Sequence, residues 1–333
     1  INKSLFEIIN FNKSVLGKRF LKDQLVNPLY DFDELKNRYE LIECFKNNKI
    51  DQHIGIYLES IYDIDKIVRK SEINIVDPCE IWKLYYSISN FKSIYDEICK
   101  FKSSVKVIDN FTKNMVDKNP IDKISVEISE IFEKTFNLEI LSNKKFTSTY
   151  VEDDETFFKS GYSKELDDIR NEIFTCNNFL DNLIKGISSL IEEKNYMNKE
   201  TKLCDVKFNE RDGHYLILTK RRHKMMLNKI KSLNKDSIRV GSIDVKLSEF
   251  DFQDLPKSSN VKVKCEKLNN LSGQLVKLKF DLVKKTKDLF FSFVSELMNK
   301  YDINIKKISY NLAYIDFINS GSICSIKNHY SKP

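Results

Sequence analysis

The stretch from Lys202 to Lys224 constrains the fold most, because it is a short β-type segment set between two long helical ones. Its two runs of strand-forming residues flank Asp212-Gly213, a dipeptide that adopts positive φ readily and is typical of a hairpin turn. On both sides, the apolar residues recur at helical spacing. The sequence therefore predicts a small β-containing unit inserted between two helices.

Positive charge is concentrated in and around this hairpin. Residues 199–239 contain 12 Lys and Arg against 5 Asp and Glu, a surplus of +7, whereas the whole chain carries a formal net charge of +6. The rest of the chain therefore sums to about −1. A localised cationic surface favours a polyanion as partner, most commonly nucleic acid. A solvated charged loop explains the same charge and stays open at this point.

The bulk composition excludes several classes of protein. Only 8 Gly and 5 Pro occur in 333 residues, and so few helix breakers favour long helices. The seven cysteines form no C-x-x-C pair and the four histidines no H-x-x-x-H pair, which argues against a zinc site. Scattered cysteines indicate a reduced intracellular compartment. No apolar run approaches the ~20 residues of a membrane span, and no signal peptide is visible.

Helical periodicity runs through most of the chain. Asp77-Pro78 is a start signal, with Asp as the N-cap and Pro in the first turn of a long helix. Ser163 is predicted to cap a helix that extends to about residue 196, and a helix of comparable length begins at Glu266, followed by a final helix around Ile308. Shorter helices are predicted at 33–45, 50–60, 63–71, 121–135 and 220–231, and Asp33 is the predicted N-cap of the first of them. Strands are predicted at 243–247 and 261–265.

Together these segments predict a mainly α fold. A helix from 163 to 196 would be about 50 Å long, which exceeds one compact core, so it is expected to project. The returning helix should pack against it antiparallel, forming a lever. The predicted architecture is thus a discontinuous helical body built from both ends of the chain, a long helical arm, and an inserted small β-containing domain at its tip.

Several strings, in order along the chain, resemble those of the MutS family of DNA mismatch repair proteins. The most specific runs from Gly161 to Arg170 and is similar to the family pattern GYxxELDxLR. Phe208 to Tyr215 falls where the family has YNxxxGYYIEV. The other similar segments are Gly17–Leu29 (GxRLLRxWLLNPL), Asn37–Glu43 (NxRLDAVEEL), Asp63–Ile67 (DLERLL), Leu312–Asp316 (LAELDVL) and Tyr330–Pro333 (YVRP).

The resemblance implies a domain division and a parent protein. Residues 1–197 and 268–333 would form the core or lever domain, and 198–267 an inserted β-rich clamp domain. The parent would bind mismatched double-stranded DNA, use ATP and Mg²⁺, and work as a homo- or heterodimer. Because the chain begins with Ile1 and stops at Pro333, we expect a fragment. It contains no G-x-x-x-x-G-K-[ST] phosphate loop, so neither an enzyme activity nor a cofactor of its own is expected.

The clamp hairpin and the basic segment behind it supply the predicted DNA contacts. Cations there would neutralise phosphates without reading bases, while Asn209 and His214 would donate neutral hydrogen bonds. The lever would couple clamp movement to an ATPase domain outside this chain. The predicted phosphate-contacting residues are Lys207, Asn209, Arg211, His214, Lys220, Arg221, Arg222 and Lys224.

Two other functions remain as alternatives. In one, the helical arm is a scaffold that binds protein partners, and the basic tip is incidental surface. In the other the chain is an enzyme, but catalytic groups with the necessary spacing are lacking. Asp153 to Glu155 reads as a solvated acidic loop, His214 and His223 are poorly spaced for zinc, and Cys204 and Cys265 read as buried thiols.

Overall fold

The computed structural model describes residues 4–101, 106–116, 121–146, 156–191, 203–209, 213–233, 237–240, 243–256 and 258–332. Within them the chain is predominantly helical, with twelve α-helices, a short 3₁₀ turn and six β-strands. The mainly α fold with a small inserted β region is thereby confirmed. Two compact units are present: unit 1 is Ile1–Thr147, Phe157–Lys159 and Asp288–Pro333, and unit 2 is Ser148–Thr156 and Ser160–Lys287.

Unit 1 is all-helical apart from one isolated β-bridge among the residues described. Most of its helix starts follow local capping chemistry. Ser14 and Asp63 each accept a hydrogen bond from a backbone N–H of the first turn, and Asp77 and Glu80 form a reciprocal capping box. Its helices are α1 (Leu5–Ile9), α2 (Val15–Val26), α3 (Phe32–Asn47), α4 (Ile50–Glu59), α5 (Ile64–Glu72), α6 (Pro78–Cys99), α7 (Lys106–Val116), α8 (Ile121–Thr135) and α9 (Leu138–Asn143).

A cluster of phenylalanine rings forms one part of the unit 1 core. Phe136 is fully buried, with its ring centroid 4.7 Å from that of Phe293 and 5.0 Å from that of Phe158. The isolated bridge pairs Phe136 with Phe158, so residues 157–159 are held in this unit by both backbone and ring contacts. The contact between Phe136 and Phe293 is edge-to-face, and contacts of this kind stabilise the core in addition to the burial of apolar area.

A buried carboxylate ties the two ends of unit 1 together. The side chain of Asp316 accepts hydrogen bonds from the backbone N–H of Lys13 at 3.0 Å and of Ser14 at 2.7 Å, and from the Ser14 hydroxyl at 2.7 Å. Burial raises the pKa of the Asp316 carboxyl, and these bonds partly offset that effect. Gly17 follows one turn later, where a Cβ would lie 2.2 Å from Asp316 Oδ2. Only a residue without a side chain fits there.

Unit 2 contains the described β-strands. One of its helices precedes the first hairpin along the chain, and another follows it. Helix α10 (Lys164–Ser188) begins at the N-cap Ser163, and an ion pair joins Glu165 in its first turn to Lys285. After it come β1 (Asp205–Asn209), β2 (Gly213–Thr219), α11 (Lys220–Leu233), β3 (Ser237–Val240), β4 (Ile243–Lys246), the 3₁₀ turn Leu247–Glu249, β5 (Phe250–Asp254), β6 (Asn260–Cys265) and α12 (Glu266–Lys327).

The strands form a four-stranded antiparallel sheet in the order β1-β2-β6-β5 and a separate hairpin of β3 and β4. In the register, Leu216 of β2 pairs with Val206 of β1 and with Val263 of β6, so these residues share one face of the sheet. That face is apolar, and His223 of α11 stacks on Phe252 of β5 against it. Because side chains alternate along a strand, the opposite face carries the polar residues.

Several expectations about individual elements were wrong. The N-cap of α3 is Asp31, whose side chain accepts from the Glu34 N–H; Asp33 lies in the first turn instead. Helix α10 has 25 residues and ends at Ser188, so it is not comparable in length to α12. Residues 192–196, which the prediction also made helical, lie outside the described part of the chain.

The largest difference concerns α12, where two helices were predicted. A single helix of 62 residues runs from Glu266 to Lys327; up to Lys287 it belongs to unit 2, and from Asp288 to unit 1. Tyr301 and Ile305 are buried in the stretch where a break was expected, and burial outweighs the weak helix propensity of the Asn and Asp residues around them. The predicted domain ranges 1–197, 198–267 and 268–333 stay predictions.

Candidate nucleic-acid interface

The hairpin of β1 and β2 carries two of the predicted contact residues on one polar surface. Lys207 is exposed and pairs across the hairpin with Tyr215, while Asn209, half-buried, pairs with Gly213 at the end of the strands. Gly213 has φ +68°, as the predicted turn requires. Arg211 lies outside the described residues. The described strands thus place Lys207 and Asn209 on the same face of the sheet.

This polar face contains two lysines that the sequence analysis did not select: Lys262, which is buried, and Lys264, which is half-buried. The register pairs Ile217 with Lys262, which puts Lys262 and Lys264 on the same face as Lys207 and Tyr215. The ammonium group of Lys262 lies 4.0 Å from the centroid of the Tyr215 ring, a cation–π contact. The alternation Val-Lys-Val-Lys in residues 261–264 was the signal that could have found them, because every second residue of a strand shares a face.

The first turn and a half of α11 carries four predicted cations. No acidic residue occurs in the first turn of this helix. Lys220 forms an ion pair with Asp254 at 3.2 Å, whereas Arg221 and Lys224 are exposed and have no carboxylate partner among the described residues. Cations at a helix N-terminus are unfavourable with respect to the helix dipole, which itself attracts anions. This end of α11 is therefore a site of excess positive potential.

Arg222 has a different environment from its neighbour Arg221. Its side chain is half-buried, and Nη1 donates a hydrogen bond to the backbone carbonyl of Leu203, 3.4 Å away. Its backbone N–H donates to the Thr219 hydroxyl, which acts as a cap for α11. Arg222 thus connects α11 to the residues that lead into β1.

His214 is held from the apolar side of the sheet. Its backbone N–H donates to the Ser272 hydroxyl of α12 at 2.7 Å, and its ring nitrogen Nδ1 lies 2.8 Å from the same oxygen. Its ring also packs on Phe208, with centroids 4.8 Å apart. The side chain therefore has a defined orientation at the end of the hairpin.

The residues considered for catalysis are described only in part, since Asp153 to Glu155 lie outside the described ranges. Among the described residues, no three His, Cys, Asp or Glu side chains are arranged to hold a metal ion. Burial raises the pKa of the Cys204 thiol to about 12 and also raises that of Cys265, so both thiols stay protonated at neutral pH. Within the described residues, no helix has the length and apolar character that crossing a membrane demands.

Comparisons with known proteins identify the family of the chain. A family model described as MutS domain III matches residues 1–322. A mutS homolog of Acanthamoeba polyphaga mimivirus is 28% identical over 342 residues, covering 99% of this chain and 29% of that protein. The DNA mismatch repair protein MutS of Thermosipho melanesiensis is 24% identical over 332 residues, covering 99% of the chain and 35% of the relative.

The MutS protein of Clostridioides difficile is similar to the same degree, with 25% identity over 332 residues that cover 99% of the chain and 30% of the relative. The chain spans about a third of the length of these curated relatives. Because the family model covers nearly the whole sequence, the chain belongs to the MutS family of DNA mismatch repair proteins and contains its domain III.

Proposed function

We propose that unit 2 binds duplex DNA through the phosphate backbone, independently of sequence. The observation that carries this proposal is the exposure of Lys207, Arg221 and Lys224 without a carboxylate partner among the described residues. A cation that lacks an internal partner can neutralise a phosphate and release its counterions. The relatives are named as DNA mismatch repair proteins, which supports DNA as the polyanion.

Sequence independence follows from the kind of side chain that this surface presents. Lys and Arg contact phosphate oxygens, which are the same at every base pair, and such contacts fix position without reporting base identity. The ring of Tyr215 and the ammonium group of Lys262 form a cation–π contact with each other, and the side chain of Arg222 donates a hydrogen bond to a backbone carbonyl. A clamp of this kind holds any duplex while another part of the protein examines the base pairing.

The same proposal extends to coupling with an ATPase domain in the parent protein. Helix α12 contributes residues to both units without a break, which supports a role in transmitting a change from one unit to the other. ATP and Mg²⁺ would bind outside this chain, which has no phosphate loop. A second subunit would complete the protein in the compartment that holds its genome.

A salt titration of DNA binding tests the proposal. We would measure the dissociation constant of the chain for a fluorescent duplex by anisotropy between about 50 and 200 mM salt. The variant Arg221→Ala/Lys224→Ala removes two of the exposed cations. The control Lys66→Ala/Lys123→Ala removes two exposed lysines of unit 1, on α5 and α8, so both variants lose the same net charge.

For the wild type we expect a negative slope of log affinity against log salt. If each side chain contacts one phosphate, the Arg221/Lys224 variant should lose about 1.8 of that slope, since each contact contributes about 0.9. The unit 1 control should keep the wild-type slope. Equal losses in the two variants would mean that net charge, and not this surface, attracts DNA.

One observation favours a protein-binding role for unit 1. Val26 and Phe32 are each 77% exposed and Tyr30 is 92% exposed, so an apolar segment joins α2 to α3 at the surface. Exposed apolar patches are typical of protein contacts. This role does not exclude DNA binding by unit 2. If the titration shows no DNA binding, protein binding by unit 1 becomes the preferred function.

A further inference from the structure

Residues 4–13, here called the strap, belong to unit 1 but contribute almost nothing to its core. Only Asn12 among them is buried, and helix α1 within the strap has no buried residue. Leu5 is 63% exposed and Ile8 is 41% exposed. Because the burial of apolar surface is the main stabilising contribution in folding, the core of unit 1 does not hold the strap in place.

Two buried side chains of α12 hold the strap instead, through its backbone. The Phe11 N–H donates a hydrogen bond to the Ser320 hydroxyl at 2.9 Å, and this hydroxyl donates to the Ile9 carbonyl oxygen at 3.5 Å. The Lys13 N–H donates to the carboxylate of Asp316 at 3.0 Å. Because Ser320 and Asp316 are both buried, they contact the strap from fixed positions on the helix.

Other contacts between the strap and the rest of unit 1 add little. Lys13 Nζ forms an ion pair with Glu59 at 2.6 Å, and Lys327 Nζ lies 4.6 Å from the centroid of the Phe11 ring. Such contacts are weak when the charged groups are exposed. Asn12 Oδ1 is buried and has no hydrogen-bond partner among the described residues, which disfavours the docked strap. Docking therefore depends on a few hydrogen bonds, each of modest net strength.

We propose that the strap is a lid that detaches from unit 1 as one piece, with Ser320 and Asp316 as its points of attachment. Ile9 lines a cavity of about 1000 Å³ together with Ser320 and Cys324. Detachment removes Ile9 from the wall of this cavity and widens its entrance. Local opening of this kind requires less free energy than global unfolding, because the rest of the core stays packed.

Ser322 provides a matched control for Ser320. It lies two residues further along α12 and is buried, and its hydroxyl has no hydrogen-bond partner within the described ranges. The variants Ser320→Ala and Ser322→Ala therefore remove the same buried group from the same helix. Only the first of them removes an attachment of the strap.

Hydrogen exchange of the full chain, followed residue by residue, tests whether the strap opens as one piece. The Lys13 N–H is the decisive probe, because its acceptor Asp316 is intact in both variants. In the wild type we expect this amide to exchange faster than the amides in the middle of α6. Ser320→Ala should accelerate Lys13 exchange about two- to tenfold, the range for the loss of one hydrogen bond, and leave the α6 amides unchanged. Ser322→Ala should accelerate neither.

Two results of the exchange experiment would overturn the proposal. If the wild-type Lys13 amide exchanges as slowly as the amides of α6, the strap opens only when the whole unit unfolds. If the two serine variants accelerate Lys13 exchange equally, the loss of a buried hydroxyl weakens α12 in general, and Ser320 is not a specific attachment.

Alkylation of Cys324 measures access to the cavity. Cys324 is buried, and Cys79, a buried cysteine of α6, serves as the reference. After treatment with iodoacetamide, peptide mass spectrometry gives the modification rate of each thiol. We expect Ser320→Ala to raise the Cys324 rate by the same factor as the Lys13 exchange, while Cys79 keeps its rate and Ser322→Ala changes neither thiol. An unchanged Cys324 rate in Ser320→Ala would overturn the role of the strap as a lid. Neither measurement uses DNA, so the result is independent of the proposed function.

Discussion

Arg221 and Arg222 are adjacent in the sequence, yet their side chains have different partners. Arg221 is exposed, while Arg222 donates to the Leu203 carbonyl. Lys220 just before them has a carboxylate, Asp254, at 3.2 Å. The sequence predicted a cluster of cations here, because the Lys and Arg residues are close together along the chain. It could not predict which of them face solvent, since their partners lie up to 34 residues away and are brought close only by the sheet.

His223 illustrates a titratable group that folding makes harder to protonate. Its ring stacks on Phe252 with centroids 4.6 Å apart, and its Nε2 is buried without a hydrogen-bond partner among the described residues. Burial lowers the pKa of His223, and the carboxylate of Asp254 opposes this in part. The unfolded chain, with an ordinary histidine pKa near 6.5, therefore binds the proton more tightly than the folded one.

From this we predict that the free energy of unfolding falls as the pH drops below about 6.5, by at most ~1.4 kcal/mol per pH unit from this residue. The variant His223→Phe keeps the ring stack and cannot titrate. Urea unfolding of both proteins between about pH 5 and 8 gives the difference. The free energy of unfolding of the wild type minus that of His223→Phe should decrease as the pH falls; a difference that is constant with pH would show that His223 does not contribute.

At the scale of elements, periodicity predicted most helices and the first hairpin. The start of α6 at Asp77-Pro78 and the extent of α8 follow from caps and spacing, which are local. Strand β5 was not predicted, although Phe250 and Phe252 alternate in it, because it is stabilised by pairing with β6. Strand pairing is non-local, so short polar strands carry little signal in one sequence.

A glycine substitution in α12 tests whether this helix is regular near the sheet. Gly273 lies within this helix, and a Cβ added there would meet no atom within 4 Å. We predict that Gly273→Ala raises the free energy of unfolding by about 0.5–1 kcal/mol, because glycine loses more backbone entropy in a helix. Gly213→Ala is the matched contrast: it should destabilise, since the backbone has φ +68° and Ser272 is in the way. Thermal unfolding measures both, and a loss of stability in Gly273→Ala would argue against a regular helix there.

At the scale of the whole molecule, short sequence strings scattered along the chain indicate the family, whereas the spacing of apolar residues predicts the mainly α fold. The family strings lie in both units, from Gly17 to Pro333, so the family resemblance is visible in the sequence alone. The continuity of α12 across residues 298–307 could not be predicted, because its propensities are weak and the burial of Tyr301 and Ile305 depends on the folded core. The contact between Ser272 and His214 had no signal in the sequence, because the two residues are 58 apart and only the fold brings them together.

The central claim is that the start of α11 in unit 2 faces the DNA backbone, whatever the sequence of the duplex. The most direct measurement is photo-crosslinking from a benzophenone side chain placed at Lys224, compared with one placed at Lys123 of unit 1, using two duplexes of unrelated sequence. We predict that position 224 crosslinks to both duplexes with similar yield and that position 123 crosslinks to neither. Crosslinks from position 123 alone, or from position 224 to only one of the two sequences, would contradict the account.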